Sequence, residues 1–230
     1  MDDDSAMTDD DGLLVLYGGT FDPVHNGHLA VARAASDVLG VPVHLMPAAD
    51  PPHRAAPGAD AATRAALLDL AVAGEQWLRV DRRELHRAGR SWTVDTLRAL
   101  REVAPRRPVA LLLGADGFRG LPGWKDWRAL LTLAHFVIAE RAGDPLDRDL
   151  PAALAEQLAG RWTDDPADLQ TAPGGRVLRL RQPLSPESAT EIRRRIATGR
   201  PWQAMVPPAV AARITTDGLY AHGADAAAPL

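Results

Sequence analysis

Short apolar runs alternate along the chain with segments whose apolar residues recur every three or four positions. Runs that are apolar throughout, such as LLVLY at 13–17 and PVALLLG at 108–114, predict strands that are buried on both faces. The expected strands are 13–17, 43–48, 78–85, 108–114, 135–141 and 176–184, and the expected helices are 29–39, 61–74, 94–105, 126–134, 150–160 and 189–199. This alternation predicts an α/β fold with one doubly wound parallel sheet in a single domain.

The ends of the chain differ in composition from the part between them. Six aspartates lie within the first 11 residues, and removing these six negative charges from the formal net charge of −4 leaves +2. We therefore expect a disordered acidic tail at 1–12, a domain at 13–220 and a flexible tail at 221–230. A body charge of +2 is too small for a general nucleic-acid surface.

Composition also excludes several kinds of chemistry. The chain has no cysteine, so disulfides, thiolate zinc sites and a cysteine nucleophile are excluded. Lys125 is the only lysine, and no Gly-Lys-Ser/Thr sequence is present, which excludes a P-loop. No apolar run approaches the roughly 20 residues that a membrane span needs. The acidic N-terminus is unlike a signal peptide, so a cytoplasmic location is expected.

The stretch GGTFDPVHNGH at 18–28 follows the first predicted strand. Gly18 and Gly19 would let a ligand approach the backbone closely, and a helix is expected to begin near Asn26. The free N–H groups of that helix favour an anion. His25 and His28, three residues apart, would lie on one side of the first turn. The pattern predicts a polyphosphate site, although the glycine spacing does not fit a dinucleotide-binding G-x-G-x-x-G.

Other strand ends carry further candidates, because ligands of such sheets bind outside the carboxyl ends of the strands. PPHR at 51–54 offers His53 and Arg54, although it can also be only a turn. Asp116 follows a wholly apolar strand, where a carboxylate would bind a ribose hydroxyl or a metal. Trp92 is either a core residue or, together with Trp124, a clamp for an aromatic ring.

The starts of two predicted helices provide the last candidate residues. Before the helix at 94–105, either Ser91 or Thr93 is a candidate N-cap. Before the helix at 189–199, Ser188 and Glu191 form a capping-box pattern. That helix also has three consecutive arginines at 193–195, close to an end where the helix dipole disfavours cations. Arg193 therefore suggests a second anion site.

Together these motifs resemble a known family. GGTFDPVHNGH resembles the nucleotidyltransferase signature, with His25-Asn26-Gly27-His28 as its (H/T)-x-G-H core. ESATEIR at 187–193 is similar to the second signature of that superfamily, of the I-S-S-T-x-I-R type. PPHR, SWT, GAD and GW occur in matching order, so residues 13–220 resemble the bacterial nicotinate-nucleotide adenylyltransferases.

The resemblance implies a Rossmann-like nucleotidyltransferase fold and adenylyl transfer from ATP to nicotinate mononucleotide, a step of NAD biosynthesis. It implies that His25, His28 and Arg193 are catalytic. The ATP-binding residues it implies are Gly18, Gly19, Thr20, Phe21, His25, His28, Asp116, Ser188, Thr190 and Arg193. The nicotinate-nucleotide-binding residues it implies are His53, Arg54, Trp92, Thr93, Asp116 and Trp124. Mg²⁺ is expected with ATP, carried by substrate oxygens and without a dedicated cluster of protein ligands.

The chain departs from the family pattern at three positions. Arg54 stands where lysine is usual, Glu187 where isoleucine is usual, and Ala189 where serine is usual. Two other functions are alternatives. A phosphopantetheine adenylyltransferase would be shorter and would lack PPHR, SWT and GW, whereas a nucleotide-sensing binding protein would keep the pocket without turnover. The sequence leaves open whether the chain forms a homo-oligomer.

Overall fold

A computed structural model describes residues 12–50, 58–87, 89–140, 146, 149–181 and 187–221. The strands are β1 Leu14–Gly19, β2 Val43–Pro47, β3 Leu78–Val80, β4 Val109–Gly114, β5 His135–Glu140, β6 Trp162–Thr163 and β7 Val177–Arg181. The helices are α1 Asn26–Leu39, α2 Ala61–Val72, α3 Thr93–Val103, α4 Ala115–Arg119, α5 Trp127–Leu133, α6 Ala152–Gln157, α7 Ala189–Ala197 and α8 Pro208–Asp217. Three short 3₁₀ helices lie at Leu121–Gly123, Pro166–Gln170 and Gln203–Met205.

These strands form one parallel sheet in the order β3-β2-β1-β4-β5-β7-β6. The order runs outward in both directions from the neighbours β1 and β4, which pair through Leu14–Val109 and Leu16–Leu111. The predicted doubly wound α/β sheet is therefore confirmed. The point where the strand order reverses lies between the carboxyl ends of β1 and β4, where such sheets bind ligands.

Each face of the sheet has its own core, because successive side chains of a strand point to opposite faces. In β1, Val15 packs with Leu29, Leu67 and other residues of α1, α2 and α8. Leu14 and Leu16 pack on the other face, with Leu97 and other residues of α3 and α5. Burial on both faces explains why the central strands are apolar throughout.

Several element boundaries differ from the sequence-based expectation. β3 ends at Val80 rather than at residue 85, because the chain then turns to bring Asp81 and Glu84 into the interior. α6 is shorter than the expected 150–160. β6, only two residues long, and α8 were not predicted, although Val210, Ala211 and Ile214 of α8 are buried. The expected strand at 176–184 corresponds to β7, Val177–Arg181, and residues 182–184 lie outside the described residues.

The predicted tails lie mostly outside the described residues, which begin at Gly12 and end at Ala221. Gly12 is held at the body by its carbonyl oxygen, which accepts a hydrogen bond of 3.0 Å from Arg107 Nε. Among the described residues, no helix has the length and apolar character that crossing a membrane requires.

Candidate functional site

The two predicted histidines lie side by side at the start of α1. The helix begins at Asn26, as predicted, and His25 is its N-cap. The ring centroids of His25 and His28 are 3.6 Å apart in a stacked arrangement, which confirms their expected placement on one side of the first turn. The backbone amides of Asn26 and Gly27 donate no hydrogen bond within the described part of the chain, so this end of the helix retains its attraction for an anion.

Hydrogen bonds fix which nitrogen of each ring carries the proton. His28 Nδ1 accepts from the backbone N–H of His25 at 3.2 Å, and His25 Nδ1 accepts from the backbone N–H of His28 at 3.4 Å. A neutral imidazole whose Nδ1 accepts must carry its proton on Nε2. We therefore assign the Nε2–H tautomer to both rings. This reciprocal capping box makes each Nε2 a hydrogen-bond donor.

Phe21 supports the second of these rings. Its own ring is 2% exposed and meets His28 edge-on, with centroids 4.9 Å apart. It also covers Gly19, where an added Cβ would come within 2.9 Å of the Phe21 ring. Gly19 therefore cannot carry a side chain without displacing Phe21.

Asp22 is the polar centre of the loop between β1 and α1. The carboxylate is 5% exposed and accepts hydrogen bonds from the backbone amides of Gly58 at 2.7 Å and Ala59 at 3.1 Å. It also accepts one at 2.8 Å from the hydroxyl of Tyr220, which lies beyond α8. Burial, together with the Asp22 charge, raises the pKa of Tyr220 far above its usual range. Asp22 thus ties the loop to two distant segments.

The three consecutive arginines of α7 have different environments. Arg193 Nη1 donates to the backbone carbonyl oxygen of Asp22 and lies 3.6 Å from its carboxylate. Arg194 and Arg195 both pair with Glu191 at 2.7 Å instead, which lowers the pKa of that carboxyl to about 2. Arg193 is therefore the arginine that the fold directs towards the α1 loop.

The start of α7 confirms one half of the predicted capping box. The Ser188 hydroxyl accepts a hydrogen bond of 3.2 Å from the backbone N–H of Glu191. The Glu191 carboxylate binds Arg194 and Arg195 rather than returning to the cap. Thr190 lies on the exposed first turn, with its hydroxyl 3.5 Å from Arg193 Nη2. Residues Asp22, His25, His28 and Arg193 are called the histidine half of the site below.

A cavity of about 380 Å³ lies on the other side of the β1 end. Its walls combine the backbone at the end of β1, apolar side chains of β2 and β4, and two indole rings. The lining includes Gly18, Gly19, Thr20, Met46, Leu113 and Asp116, together with Glu84, Trp92, Thr93, Val94 and Trp124. Trp92, Thr93 and Trp124 are called the tryptophan half, and Glu84 lines the same cavity. The fold therefore brings four predicted mononucleotide-binding residues, Trp92, Thr93, Asp116 and Trp124, to one cavity.

The start of α3 differs from the expectation that Ser91 or Thr93 caps it. Trp92 is the N-cap, and no side chain caps the helix. The Ser91 hydroxyl is committed elsewhere, since it accepts from the backbone N–H of Ala49 at 2.9 Å. The amides of Thr93 and Val94 donate no hydrogen bond within the described ranges, and both residues line the cavity. An anion in the cavity would therefore meet uncapped donors.

The remaining candidates differ in how they face the cavity. The Asp116 side chain is 79% exposed and lies 3.4 Å from Arg119. Lys125 lies 5.7 Å above the Trp92 ring and pairs with Asp95 at 2.9 Å. Trp127 is buried in the core. His53 and Arg54 lie outside the described residues.

Sequence reasoning missed a buried arginine that joins the strand ends. Arg64 is 0% exposed, and its guanidinium donates to the carbonyl oxygens of Thr20 at 2.6 Å, Ala48 at 2.7 Å and Ala59 at 3.1 Å. Burial lowers its pKa. A signal was present, because Arg64 lies in helical register with the buried Leu67, Leu68 and Ala71. An arginine on the apolar face of a helix needs buried acceptors.

Glu84, Asp22 and Tyr220 were also missed, since their roles depend on contacts between distant parts of the chain.

As for metal ligands, the part of the chain that the structure describes contains no group of three or more His, Asp or Glu residues arranged to hold an ion. The Asp22 carboxylate is occupied by its backbone and tyrosine partners. Asp116 is the more exposed carboxylate at the cavity.

Comparison with known proteins agrees with this geometry. The cytidylyltransferase-like family model matches residues 16–195. A probable nicotinate-nucleotide adenylyltransferase of Stenotrophomonas maltophilia is 54% identical over 214 residues, covering 90% of this chain and 96% of the relative. A relative of the same description from Xylella fastidiosa is 48% identical over 213 residues, with the same two coverages.

A solved structure shares the fold at low identity. The nicotinic acid mononucleotide adenylyltransferase of Plasmodium falciparum, complexed with NaAD, has a TM-score of 0.69 and 14% identity, covering 92% of this chain and 98% of that one. At this identity the likeness bears on the fold alone, and the family rests on the family model and the bacterial relatives. The chain belongs to the cytidylyltransferase-like family and, within it, to the nicotinate-nucleotide adenylyltransferases.

Proposed function

We propose that the chain transfers the adenylyl group of ATP to nicotinate mononucleotide, giving deamido-NAD and pyrophosphate, and that the two halves of the site divide this task. The histidine half binds the phosphates of ATP, and the tryptophan half binds the mononucleotide. The observation that carries the proposal is the stacked His25–His28 pair at the start of α1, beside a cavity at the point where the strand order reverses.

The reaction needs no protein nucleophile. An oxygen of the 5′-phosphate of nicotinate mononucleotide attacks the α-phosphorus of ATP, and a new P–O bond forms. The bond from that phosphorus to the oxygen bridging the α- and β-phosphates breaks, and pyrophosphate leaves with the electron pair. Catalysis then consists of holding the two phosphates in line and stabilising charge on the leaving oxygens.

His25 and His28 supply the charge stabilisation. Their Nδ1 atoms are held by the backbone, so both rings are oriented before substrate arrives. Each Nε2–H can then donate to a phosphate oxygen without a change of rotamer. Preorganised donors of this kind stabilise a transition state because they require no reorientation during the reaction.

Arg193 binds the β- and γ-phosphates, with Ser188 and Thr190 beside it on the first turn of α7. One arm of its guanidinium is held by the Asp22 carbonyl oxygen, and the other lies beside the Thr190 hydroxyl, where both groups could donate to a phosphate. Holding one arm reduces the rotamer freedom that binding would otherwise remove.

Mg²⁺ accompanies ATP in this proposal and neutralises negative charge on the phosphates. The donor set fits an ion held mainly by substrate oxygens and water, since Asp22 is fully engaged and Asp116 is the exposed carboxylate nearby. We propose that the enzyme acts in the cytoplasm, where ATP is available, and without a nucleic-acid partner.

Nicotinate is distinguished from nicotinamide by the start of α3. Trp92 and Trp124 can enclose the ring, but stacking does not tell an acid from an amide. The amides of Thr93 and Val94 can donate to a carboxylate, whereas the NH₂ of nicotinamide would oppose them donor to donor. A site that leaves buried donors unpaired in this way discriminates by roughly 10² to 10⁵ in kcat/KM.

Pyrophosphate release with ATP and a panel of acceptors tests the proposal. We expect nicotinate mononucleotide to exceed nicotinamide mononucleotide in kcat/KM by roughly 10² to 10⁵. Equal values for the two would refute the base recognition while leaving adenylyl transfer intact. Preference for phosphopantetheine would favour the other adenylyltransferase, and ATP binding without turnover would favour a nucleotide-sensing protein.

A further inference from the structure

Glu84 is a buried carboxyl group in the cavity wall for which the proposed reaction assigns no role. It is 4% exposed, lies in the turn that follows β3, and lines the cavity. Burial raises its pKa, and hydrogen bonds from Thr96 and Ser91 act in the opposite direction. A carboxylate withdrawn from water is costly unless it is hydrogen-bonded, so its partners are informative.

Those partners lie on both sides of the uncapped start of α3. The Thr96 hydroxyl donates to Glu84 Oε1 at 2.8 Å, and Thr96 is 2% exposed within the helix. Ser91, which precedes the helix, lines the cavity together with Glu84 and opposes the rise in the pKa of Glu84. Thr93 and Val94 lie between Ser91 and Thr96, and both also line the cavity.

Ser91 extends the connection to the end of β2. Its hydroxyl oxygen accepts from the backbone N–H of Ala49 at 2.9 Å and of Asp50 at 3.4 Å. Its own backbone N–H donates to the carbonyl oxygen of Asp50 at 3.0 Å. These three hydrogen bonds tie Ser91 to the end of β2. The turn before α3 is thus fixed from two directions.

Arg87 supplies compensating charge close by. Its guanidinium acts electrostatically on Glu84, and its Nη2 atom is buried without a hydrogen-bond partner among the described residues. A positive charge near Glu84 would offset the repulsion between that carboxylate and an anionic ring in the cavity. Glu84 can therefore act through the residues it holds rather than by repelling the substrate.

We propose that Glu84 is a positioning residue which sets the preference for nicotinate over nicotinamide mononucleotide, by fixing the start of α3, with its Thr93 and Val94 amides, through Thr96. This inference rests on the proposed function. It assigns specificity to a side chain that need not touch the nucleotide. It also explains why a carboxyl group is kept at a buried position where its charge is unfavourable.

Steady-state kinetics of Glu84→Gln and Thr96→Val test this proposal. The matched control is Glu102→Gln, which lies on the exposed face of α3, the helix that also contains Thr96. Both test variants should raise KM for nicotinate mononucleotide roughly tenfold, the scale of one lost hydrogen bond to a charged group. The preference for acid over amide should fall by the same factor. KM for ATP should change by less than about twofold, since the histidine half keeps its contacts.

The outcomes separate the possible failures. If KM for both substrates rises together, or the acid preference is retained, Glu84 is merely structural and the inference is wrong. If Glu84→Gln does not fold, as judged by its thermal melt, Thr96→Val decides, since it removes the hydroxyl that donates to Glu84. A wild-type enzyme that does not turn over nicotinate mononucleotide would refute the proposed function itself.

Discussion

In the histidine half, around His25 and Arg193, the groups that would contact ATP are polar and orient one another. In the tryptophan half, around Trp92 and Trp124, the cavity wall consists of aromatic ring faces and the start of a helix. The histidine half is assembled from segments far apart in the chain, as the contact between Asp22 and Tyr220 shows. In the tryptophan half, the turn before α3 is tied to the end of β2 through Ser91, and α3 is tied to the turn after β3 through Thr96.

The difference indicates separate tasks for the two halves. Preorganised donors and a fixed guanidinium stabilise charge that changes during the reaction, so their loss should lower kcat or weaken ATP binding. A preformed cavity with uncapped amides recognises a ring that does not react, so its loss should act on mononucleotide binding and selectivity. Substitutions that affect one half without the other would sharpen this comparison, and equal effects would break it.

The largest effect is expected for His28→Ala. Removing one preorganised donor should lower kcat by roughly 10² or more. The fold should persist, because the residue is only partly buried and His25 remains as the N-cap. The test is to measure kcat and the circular dichroism spectrum of this variant. His86→Ala, at an exposed turn, is the control. Normal turnover would contradict the catalytic role, and loss of the folded state would make the histidine structural.

A smaller effect is expected for the arginines of α7. Arg193→Ala should raise KM for ATP by roughly 10- to 10²-fold, the range of a hydrogen bond to a charged group. Arg194→Ala should change it little, because that side chain is exposed and pairs with Glu191. Arg193→Lys tests the guanidinium shape, since lysine keeps the charge without the planar fork. Equal KM values for Arg193→Ala and Arg194→Ala, obtained by ATP titration, would refute the assignment.

Sequence reasoning recovered the features that local patterns encode. The wholly apolar runs identified the central strands, since burial on both faces leaves no polar position. The spacing of His25 and His28 also placed their rings correctly, because an interval of three residues puts side chains on one side of a helix.

The features that it missed depend on tertiary contacts. Ser91 has the residue type and position of a helix cap, yet its hydroxyl is taken by the backbone after β2. Glu84 and Tyr220 gain their partners only when separate segments meet. The helical register of Arg64 was visible in the sequence, but its acceptors at three loops were not.

The smallest expected effect is on how the free energy of unfolding depends on pH. It compares Glu84, near the tryptophan half, with Glu191, near the histidine half. The pKa of Glu84 is raised above its ordinary value of 4.5 by burial, so its contribution to stability is fully present below pH 4.5 and is lost as pH rises through the raised value. Glu191, bound by Arg194 and Arg195, has a pKa lowered from 4.5 to about 2. Its contribution has the opposite sign, being present above pH 4.5 and lost as pH falls towards 2.

Urea unfolding between pH 4.5 and 7 should therefore separate the two glutamates. The free energy of unfolding of the wild type, relative to Glu84→Gln, should decline as pH rises, with a slope no steeper than about 1.4 kcal/mol per pH unit for one proton. The same difference relative to Glu191→Gln should stay flat over this window, because Glu191 is ionised in both the folded and the unfolded chain there. A flat difference for Glu84→Gln would mean that the folded protein does not hold this proton more tightly than the unfolded chain. The tryptophan half would then lack the buried, charge-sensitive group that distinguishes it from the exposed carboxylate on α7.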